Sequence, residues 1–92
     1  MSNAEEIVMA LNDFGGYVRV TRKKYGMSLQ DLADRTNLSP AFIYRIEVGK
    51  RKALMKNRLV ILLCGFSWDT EKIMAYLEKI LVNIREFKEI TD

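Results

Sequence analysis

The chain has 92 residues, 49% hydrophobic and 29% charged, with a net charge of +3, which is typical of one small ordered domain and excludes a disordered chain. It has no histidine and one cysteine, which excludes a zinc site of the usual kind and the common catalytic constellations, so neither an enzyme nor a bound metal or cofactor is expected. No apolar run approaches the roughly 20 residues that cross a bilayer, and no secretory signal is found, so the sequence predicts a cytoplasmic protein.

The N-terminal segment carries a helical pattern that a pair of glycines interrupts. One helical face, with steps of four, three and four residues, is formed by Ile7, Leu11, Phe14 and Val18. The glycine pair at 15–16 falls within this face and costs a helix interior about 2 kcal/mol relative to alanine. The pattern therefore predicts either two short helices that meet near the pair or one helix with a weak point there.

Two short helices are predicted next. The segment 17–25 ends at Gly26, a natural residue for a helix C-terminus. Ser28 can cap the following helix, and Asp31 three residues later completes a pattern like a capping box. This helix is short and is expected to stop near residues 36–37.

The chain restarts as a helix after a tight turn. Ser39 is a good N-cap, and Pro40 at the first helical position loses no hydrogen bond that it would have made. This helix is expected to end near Gly49, and the turn over residues 36–38 joins it closely to the helix before it.

Two more helices complete the chain, and no segment alternates like a strand, so the fold class is all-α. A helix over about 54–64 is apolar on nearly all sides in its second half and ends at Gly65, so Cys64 is expected to be a buried apolar side chain. Asp69 or Thr70 can cap the last helix. An apolar seam in that helix consists of Ile73, Leu77, Ile80, Ile84 and Phe87.

The basic residues are concentrated in the middle of the chain. Residues 19–58 hold eleven basic and three acidic side chains, whereas residues 1–18 hold three acids and no base, and residues 59–92 hold four bases and six acids. A basic segment between acidic flanks is typical of a surface that binds a polyanion. Because the aromatic residues are scattered, the pattern does not favour single-stranded nucleic acid.

The middle segment also carries capping, small and apolar residues at a fixed spacing. These are Arg22, Gly26-Met27-Ser28, Leu32-Ala33, Leu38-Ser39, Ile43, Arg45-Ile46-Glu47 and Gly49-Lys50. With them the chain resembles the Xre-type family of Cro and phage-repressor-like helix-turn-helix regulators. The resemblance implies a five-helix lambda-repressor-like DNA-binding domain with an additional C-terminal helix. The expected segments are an N-terminal helical extension over 1–17, the DNA-binding domain over 18–66 and a C-terminal dimerisation helix over 67–92.

The resemblance implies which side chains read the DNA bases. In the family one helix crosses the DNA backbone and the next lies in the major groove. The positions for base readout hold Pro40, Ala41, Tyr44 and Arg45. The first two offer only apolar contact, so hydrogen-bonded discrimination falls on Tyr44 and on Arg45, which can address guanine with two hydrogen bonds. Phe42 is left open between a DNA contact and core packing.

Phosphate contacts are expected from basic residues around the motif and from polar residues near helix N-termini, where backbone amides favour anions. The candidates are Arg19, Lys23, Lys24, Ser28, Gln30, Ser39, Lys50, Arg51, Lys52 and Lys56. Where the family often has a phosphate-binding glutamine this chain has Leu29, and Gln30 follows it. The resemblance also pairs Arg22 with Glu47 in a partly buried ion pair that orients helices; the alternative is two separate solvated charges.

The apolar seam of the last helix is expected to be a dimer interface, because helix-turn-helix regulators commonly bind two half-sites as dimers. The seam can pair with its copy or with the N-terminal helix, and the alternative is that this helix packs back on its own domain. The predicted function is a sequence-specific, double-stranded-DNA-binding transcriptional regulator, a homodimeric repressor, since one domain leaves no second one to recruit polymerase. A different class is an antitoxin or anti-repressor module whose terminal helices bind another protein.

Overall fold

Helices account for all the regular structure in the part of the chain that is described. A computed structural model covers residues 1–91 and the side chains of residues 1–88. The helices are α1 Asn3–Asn12, α2 Phe14–Lys24, α3 Leu29–Thr36, α4 Pro40–Glu47, α5 Met55–Val60 and α6 Thr70–Thr91, with a π-helical turn at Ile61–Gly65. No strand occurs over the described range, so the all-α prediction is confirmed.

The first two helices meet at Asp13, just before the glycine pair. The Asp13 backbone leaves the helical region (φ −146°, ψ 74°), and its carboxylate accepts a hydrogen bond from the amide of Gly16 at 3.0 Å. The N-cap of α2 therefore places both glycines in its first turn, where they do not interrupt a helix interior. Of the two predicted alternatives, two short helices is correct. The second begins at Phe14, inside the segment predicted as an extension.

Capping side chains fix α3 and α4 as the sequence predicts. The amide of Asp31 donates to Ser28 Oγ at 2.9 Å, and the amide of Ser28 donates back to Asp31 Oδ2 at 2.8 Å. Hydrogen bonds to its carboxylate from the Ser28 backbone amide, and secondly from the Ser28 side chain, hold the pKa of Asp31 below its ordinary value. α3 ends at Asn37 in the left-handed conformation (φ 61°), and Ser39 then caps α4 by accepting from the amide of Phe42 at 3.1 Å.

The helix predicted over residues 54–64 is divided. It begins as α5 and continues as the π-helical turn, in which Ile61 and Leu62 are buried but Leu63 and Cys64 are exposed. The prediction that Cys64 is buried is therefore wrong. A helix that packs on one side presents the other to solvent, even where the residues on both sides are apolar.

The core lies between α2, α3, α4 and the π-helical turn, and α1 packs against both α2 and α6. The largest fully buried side chains are Tyr17, Tyr76, Leu32, Ile43, Ile61, Leu62 and Val18. Trp68 stands edge to face with both tyrosines, with ring centroids 5.8 Å from Tyr17 and 5.9 Å from Tyr76. This aromatic cluster packs α6, through Tyr76, against α2, through Tyr17.

α6 is 22 residues long, and its first part packs on the domain whereas its residues 81–88 are exposed. Ile73 is buried, and Leu77 and Ile80 are half-buried against the core of their own chain. Ile84 and Phe87, further along the seam, are 58% and 69% exposed. The first half of the helix thus packs on its own domain, and Ile73 is buried there within the single chain. Despite its length, neither α6 nor any other helix among the described residues could cross a membrane.

Candidate nucleic-acid interface

The outward face of α4 carries most of the side chains predicted to read bases. Ala41, Tyr44 and Arg45 are exposed, whereas Pro40, at the first helical position, is half-buried. The opposite face of α4 is buried in the core, because residues three and four apart share one face of a helix. The hydroxyl of Tyr44 and the guanidinium of Arg45 therefore lie on the surface of a helix whose position the core fixes.

Phe42, which the sequence leaves open, touches both the core and the surface. Its ring is half-buried and packs against the core, and the guanidinium carbon of Arg51 lies 5.0 Å from the ring centroid. A guanidinium at that distance over an aromatic face makes a cation–π contact. Phe42 thus connects α4 to the loop that follows it.

The loop after α4, residues 49–52, holds its charges beside that helix. Gly49 has the left-handed conformation (φ 77°) that favours glycine, and the chain reverses there. The amides of Lys50 and Arg51 both donate to the carbonyl of Arg45, at 2.9 and 3.2 Å. Because this loop backbone is fixed to α4, the exposed side chains of Lys50, Arg51 and Lys52 form a basic surface next to the outward face of α4.

The remaining phosphate candidates fall into two groups. The exposed cations are Arg19, Lys23, Lys24 and Lys56. The hydroxyls of Ser28 and Ser39 already accept hydrogen bonds as helix caps, and the side-chain amide of Gln30 donates to Asp34 Oδ1 at 2.7 Å. At Ser28 and Ser39, the groups that could bind an anion are therefore the backbone amides of the helix N-terminus and not the serine hydroxyls.

Arg22 and Glu47 are brought together between α2 and α4. Arg22 Nε lies 2.7 Å from Glu47 Oε2 and Nη2 lies 3.0 Å from Oε1, while Nη1 donates to the carbonyl of Met27 at 2.9 Å. The two side chains are 11% and 2% exposed. The hydrogen bonds that Arg22 donates to Glu47 raise the pKa of Arg22, against the effect of burial. One guanidinium therefore links α2, the turn before α3 and the end of α4.

α2 and α4 also approach closely at Gly15. A Cβ atom built on this residue would lie 2.1 Å from the carbonyl oxygen of Ile46, far inside van der Waals contact. Only glycine allows the backbones to come this near. The sequence pattern indicated a weak point in a helix here, but the residue serves the packing of α2 on the base of α4.

Arg58 belongs to the basic segment but is not part of the basic surface. Its Nε donates to the carbonyl of Ala53 at 3.0 Å, its Nη1 donates to the hydroxyl of Tyr76 at 3.2 Å, and its guanidinium lies 5.2 Å from the ring centroid of Phe14. The charge count of residues 19–58 therefore overstates the charge available to a polyanion, since Arg22 and Arg58 have intramolecular partners.

A second ion pair, between α1 and α6, was not predicted from the sequence. Lys72 Nζ lies 2.6 Å from Glu6 Oε2, and the hydroxyl of Tyr17 donates to Glu6 Oε1 at 2.9 Å. Trp68 Nε1 donates to the same hydroxyl at 3.1 Å, and the ammonium of Lys72 lies 4.3 Å from the Trp68 ring centroid. Burial, with the hydrogen bond to Glu6, raises the pKa of Tyr17. No spacing rule connects residues 66 positions apart.

A cleft of about 460 Å³ adjoins the interface, between the junction of α1 with α2, the end of α4 and the basic loop. Two of its charged lining residues, Glu47 and Arg58, already have partners in the protein. Among the side chains that the structure describes, no three of histidine, cysteine, aspartate and glutamate are grouped to hold a metal ion. The surface beside this cleft carries exposed cations and the hydrogen-bond donors of Tyr44 and Arg45.

Comparison with known proteins agrees with this geometry. The family model described as helix-turn-helix matches residues 18–63, half of the chain. This range contains the Arg22–Glu47 pair, the outward face of α4 and the basic loop. No curated protein and no solved structure gives a significant match to the chain.

Proposed function

Because the chain belongs to the Xre-type helix-turn-helix family of DNA-binding regulators, we propose that it is a sequence-specific repressor that binds double-stranded DNA as a homodimer. The observation that carries the proposal is the outward face of α4, where Ala41, Tyr44 and Arg45 are exposed beside the basic residues 50–52. This arrangement combines groups that read base edges with charges that bind the DNA backbone.

In the proposed complex α4 lies in the major groove. Arg45 donates two hydrogen bonds to O6 and N7 of a guanine, Tyr44 offers its hydroxyl, and Pro40 and Ala41 give apolar contact to thymine methyl groups. One bidentate contact of this kind discriminates by about 1–3 kcal/mol. Each half-site therefore contains a guanine whose replacement weakens binding strongly.

The exposed cations around α4 bind phosphates in this proposal. They are Arg19, Lys23, Lys24, Lys50, Arg51, Lys52 and Lys56, and the backbone amides at the starts of α3 and α4, next to Gln30 and Ser39, add neutral donors. For each phosphate that the protein neutralises, the logarithm of the binding constant falls by about 0.9 for every tenfold rise in salt concentration. Binding is therefore expected to weaken steeply as salt rises.

The test is selection from a pool of random duplex DNA at a low and a high salt concentration, followed by sequencing of the retained duplexes. We expect a palindromic site with half-sites about one helical turn apart. The Arg45→Ala variant should lose preference at one guanine, whereas Lys79→Ala, at an exposed lysine of α6, should bind as the parent does. Weak binding without sequence preference, or with little dependence on salt, would contradict the proposal.

The second half of α6 is the proposed dimer contact. Ile84 and Phe87 continue, at steps of four and three residues, the face by which Ile73, Leu77 and Ile80 pack on their own domain. Beyond Ile80 this apolar face is exposed, which is unusual for a helix of a soluble monomer. A second copy of the chain covers it in the proposed dimer, so that two α4 helices can reach two half-sites.

Sedimentation velocity with a matched pair of variants tests this contact. Ile84→Glu places a charge on the seam and should give a monomer, whereas Val82→Glu, on the opposite side of the same helix, should leave the dimer intact. A parent chain that is monomeric at high micromolar concentration would contradict the dimer. Its exposed α6 face would then favour the antitoxin or anti-repressor function, in which another protein covers that face.

Repression requires only DNA binding from this domain, because a protein bound over a promoter blocks polymerase without any further contact. The compartment is the cytoplasm in this proposal, where bacterial, plasmid and phage DNA lies. A reporter gene whose promoter carries the selected site should fall in expression when the chain is produced. A rise in expression would identify an activator and overturn the assignment as a repressor.

A further inference from the structure

We propose that Phe42 is a positioning residue for Arg51, whose guanidinium it holds at the place where a DNA phosphate lies beside α4. This inference rests on the proposed function and names one part of its backbone contact. The observation is the guanidinium carbon of Arg51 at 5.0 Å from the centre of the Phe42 ring. The backbone amide of Arg51 is fixed as well, since it donates to the carbonyl of Arg45 at 3.2 Å.

A guanidinium held over an aromatic ring keeps hydrogen-bond donors for another partner. The group has five N–H donors, and a contact with one ring leaves those on its far side directed outward. Within the part of the chain that the structure describes, no hydrogen bond or ion pair engages the Arg51 side chain. Two donors can therefore meet one phosphate in a bidentate contact.

The geometry distinguishes Arg51 from its neighbours. Lys50 and Lys52 are also exposed, but within the described residues neither lies over an aromatic ring, so each loses more side-chain freedom when it binds a phosphate. Phe42 is half-buried, and one of its faces is covered by Arg51. Its ring therefore serves the neighbouring cation rather than a base edge.

A double-mutant cycle on DNA affinity tests the inference, with the selected duplex and a scrambled duplex as probes at one salt concentration. Phe42→Leu should weaken binding to both duplexes by about two- to fivefold, because a phosphate contact carries no sequence information. In the Arg51→Ala background the same substitution should have no further effect. Phe42→Tyr keeps the ring and should bind as the parent does.

Since Phe42 also packs against the core, a second variant leaves the core untouched. Arg51→Lys keeps the charge but loses the planar group, so it should bind both duplexes more weakly with an unchanged melting temperature. Additive losses in the cycle, or a loss confined to the selected duplex, would overturn the positioning role alone. If the parent chain binds neither duplex, the proposed function itself fails and this inference with it.

Discussion

Two partly buried ion pairs join helices in the part of the chain that the structure describes, and they do so in different ways. Arg22 and Glu47 join α2 to α4 inside the helix-turn-helix through two parallel hydrogen bonds, with the Glu47 side chain only 2% exposed. Lys72 and Glu6 join α6 to α1 through a single ammonium contact, with the Glu6 side chain 14% exposed. In the second pair the carboxylate also accepts a hydrogen bond from Tyr17.

The difference shows what each contact controls. The planar guanidinium fixes direction as well as distance, and it also reaches the carbonyl of Met27, so it sets the angle of α4 against α2. An ammonium fixes distance alone, and Glu6 retains a partner in Tyr17 if Lys72 is removed. Orientation is therefore most strictly determined at α4, the helix proposed to enter a DNA groove, and less strictly where the terminal helices pack.

The largest expected effect is the loss of Arg22. Arg22→Ala leaves the carboxylate of Glu47 buried without its partner and should lower the free energy of unfolding by about 3–5 kcal/mol. The measurement is urea unfolding at neutral pH. As a control, Arg22→Met combined with Glu47→Leu should recover most of the stability but not the DNA affinity, because an apolar pair packs without fixing direction. A loss below about 1 kcal/mol, the range of exposed pairs, would contradict this account.

A steric contact reinforces the first pair, and its removal ranks second. Gly15→Ala places a methyl group 2.1 Å from the carbonyl oxygen of Ile46, so α2 and α4 must separate, at a cost of about 1–3 kcal/mol. Gly16→Ala is the comparison variant, because its Cβ meets only the Asp13 side chain; moving that side chain costs α2 its N-cap, about 0.5–2 kcal/mol, without separating two helices. A Gly15→Ala variant as stable as the parent would show that the close approach does not matter to stability.

The sequence predicts the helix-turn-helix better than it predicts the packing of the terminal helices. In α3 and α4 every signal is local: a capping serine with its partner three residues on, a proline at the first helical position, and a glycine after the last turn. These signals predict the two helices and the turn between them. The resemblance to a family adds the positions that are expected to face DNA, and it pairs Arg22 with Glu47 although 25 residues separate them.

What the sequence does not predict depends on tertiary packing. The pairing of Glu6 with Lys72 follows from the docking of α6 on α1, which no local pattern specifies. The exposure of Cys64 follows from which side of the π-helical turn faces the core, and the apolar residues around it look alike on both sides. The division of α6 near Ile80 likewise depends on where its own domain ends.

The second ion pair should matter less than the first. Lys72→Met keeps an unbranched side chain but removes the ammonium that contacts Glu6 and the Trp68 ring, and should lower the free energy of unfolding by about 1–2 kcal/mol, between the values for exposed and buried pairs. Lys79→Met, at an exposed position of the same helix, should have little effect. Affinity for the selected DNA should not change, because α4 remains in place. A loss as large as that of Arg22→Ala would remove the distinction between the two pairs.

The smallest effect is the pH dependence that Glu6 contributes. Burial acts to raise its pKa, but the hydrogen bonds from Lys72 and Tyr17, with the charges of Lys72 and Lys24, outweigh burial and hold the pKa below the ordinary value of 4.5. A carboxyl whose pKa is lower in the folded state binds its proton more readily in the unfolded chain. Its contribution to stability is therefore complete above pH 4.5 and is lost as the pH falls through the lowered value.

The measurement is the difference in unfolding free energy between the parent and Glu6→Gln as the pH is lowered from neutral. That difference should be constant until the pH approaches 4.5 and should then shrink. In the Lys72→Met background the pH-dependent part of this free-energy difference should be smaller, because one of the groups that lower the pKa of Glu6 is gone. A difference that does not change with pH would mean that Glu6 acts at this contact as a neutral hydrogen-bond acceptor, and that the contact between α1 and α6 is not an ion pair in solution.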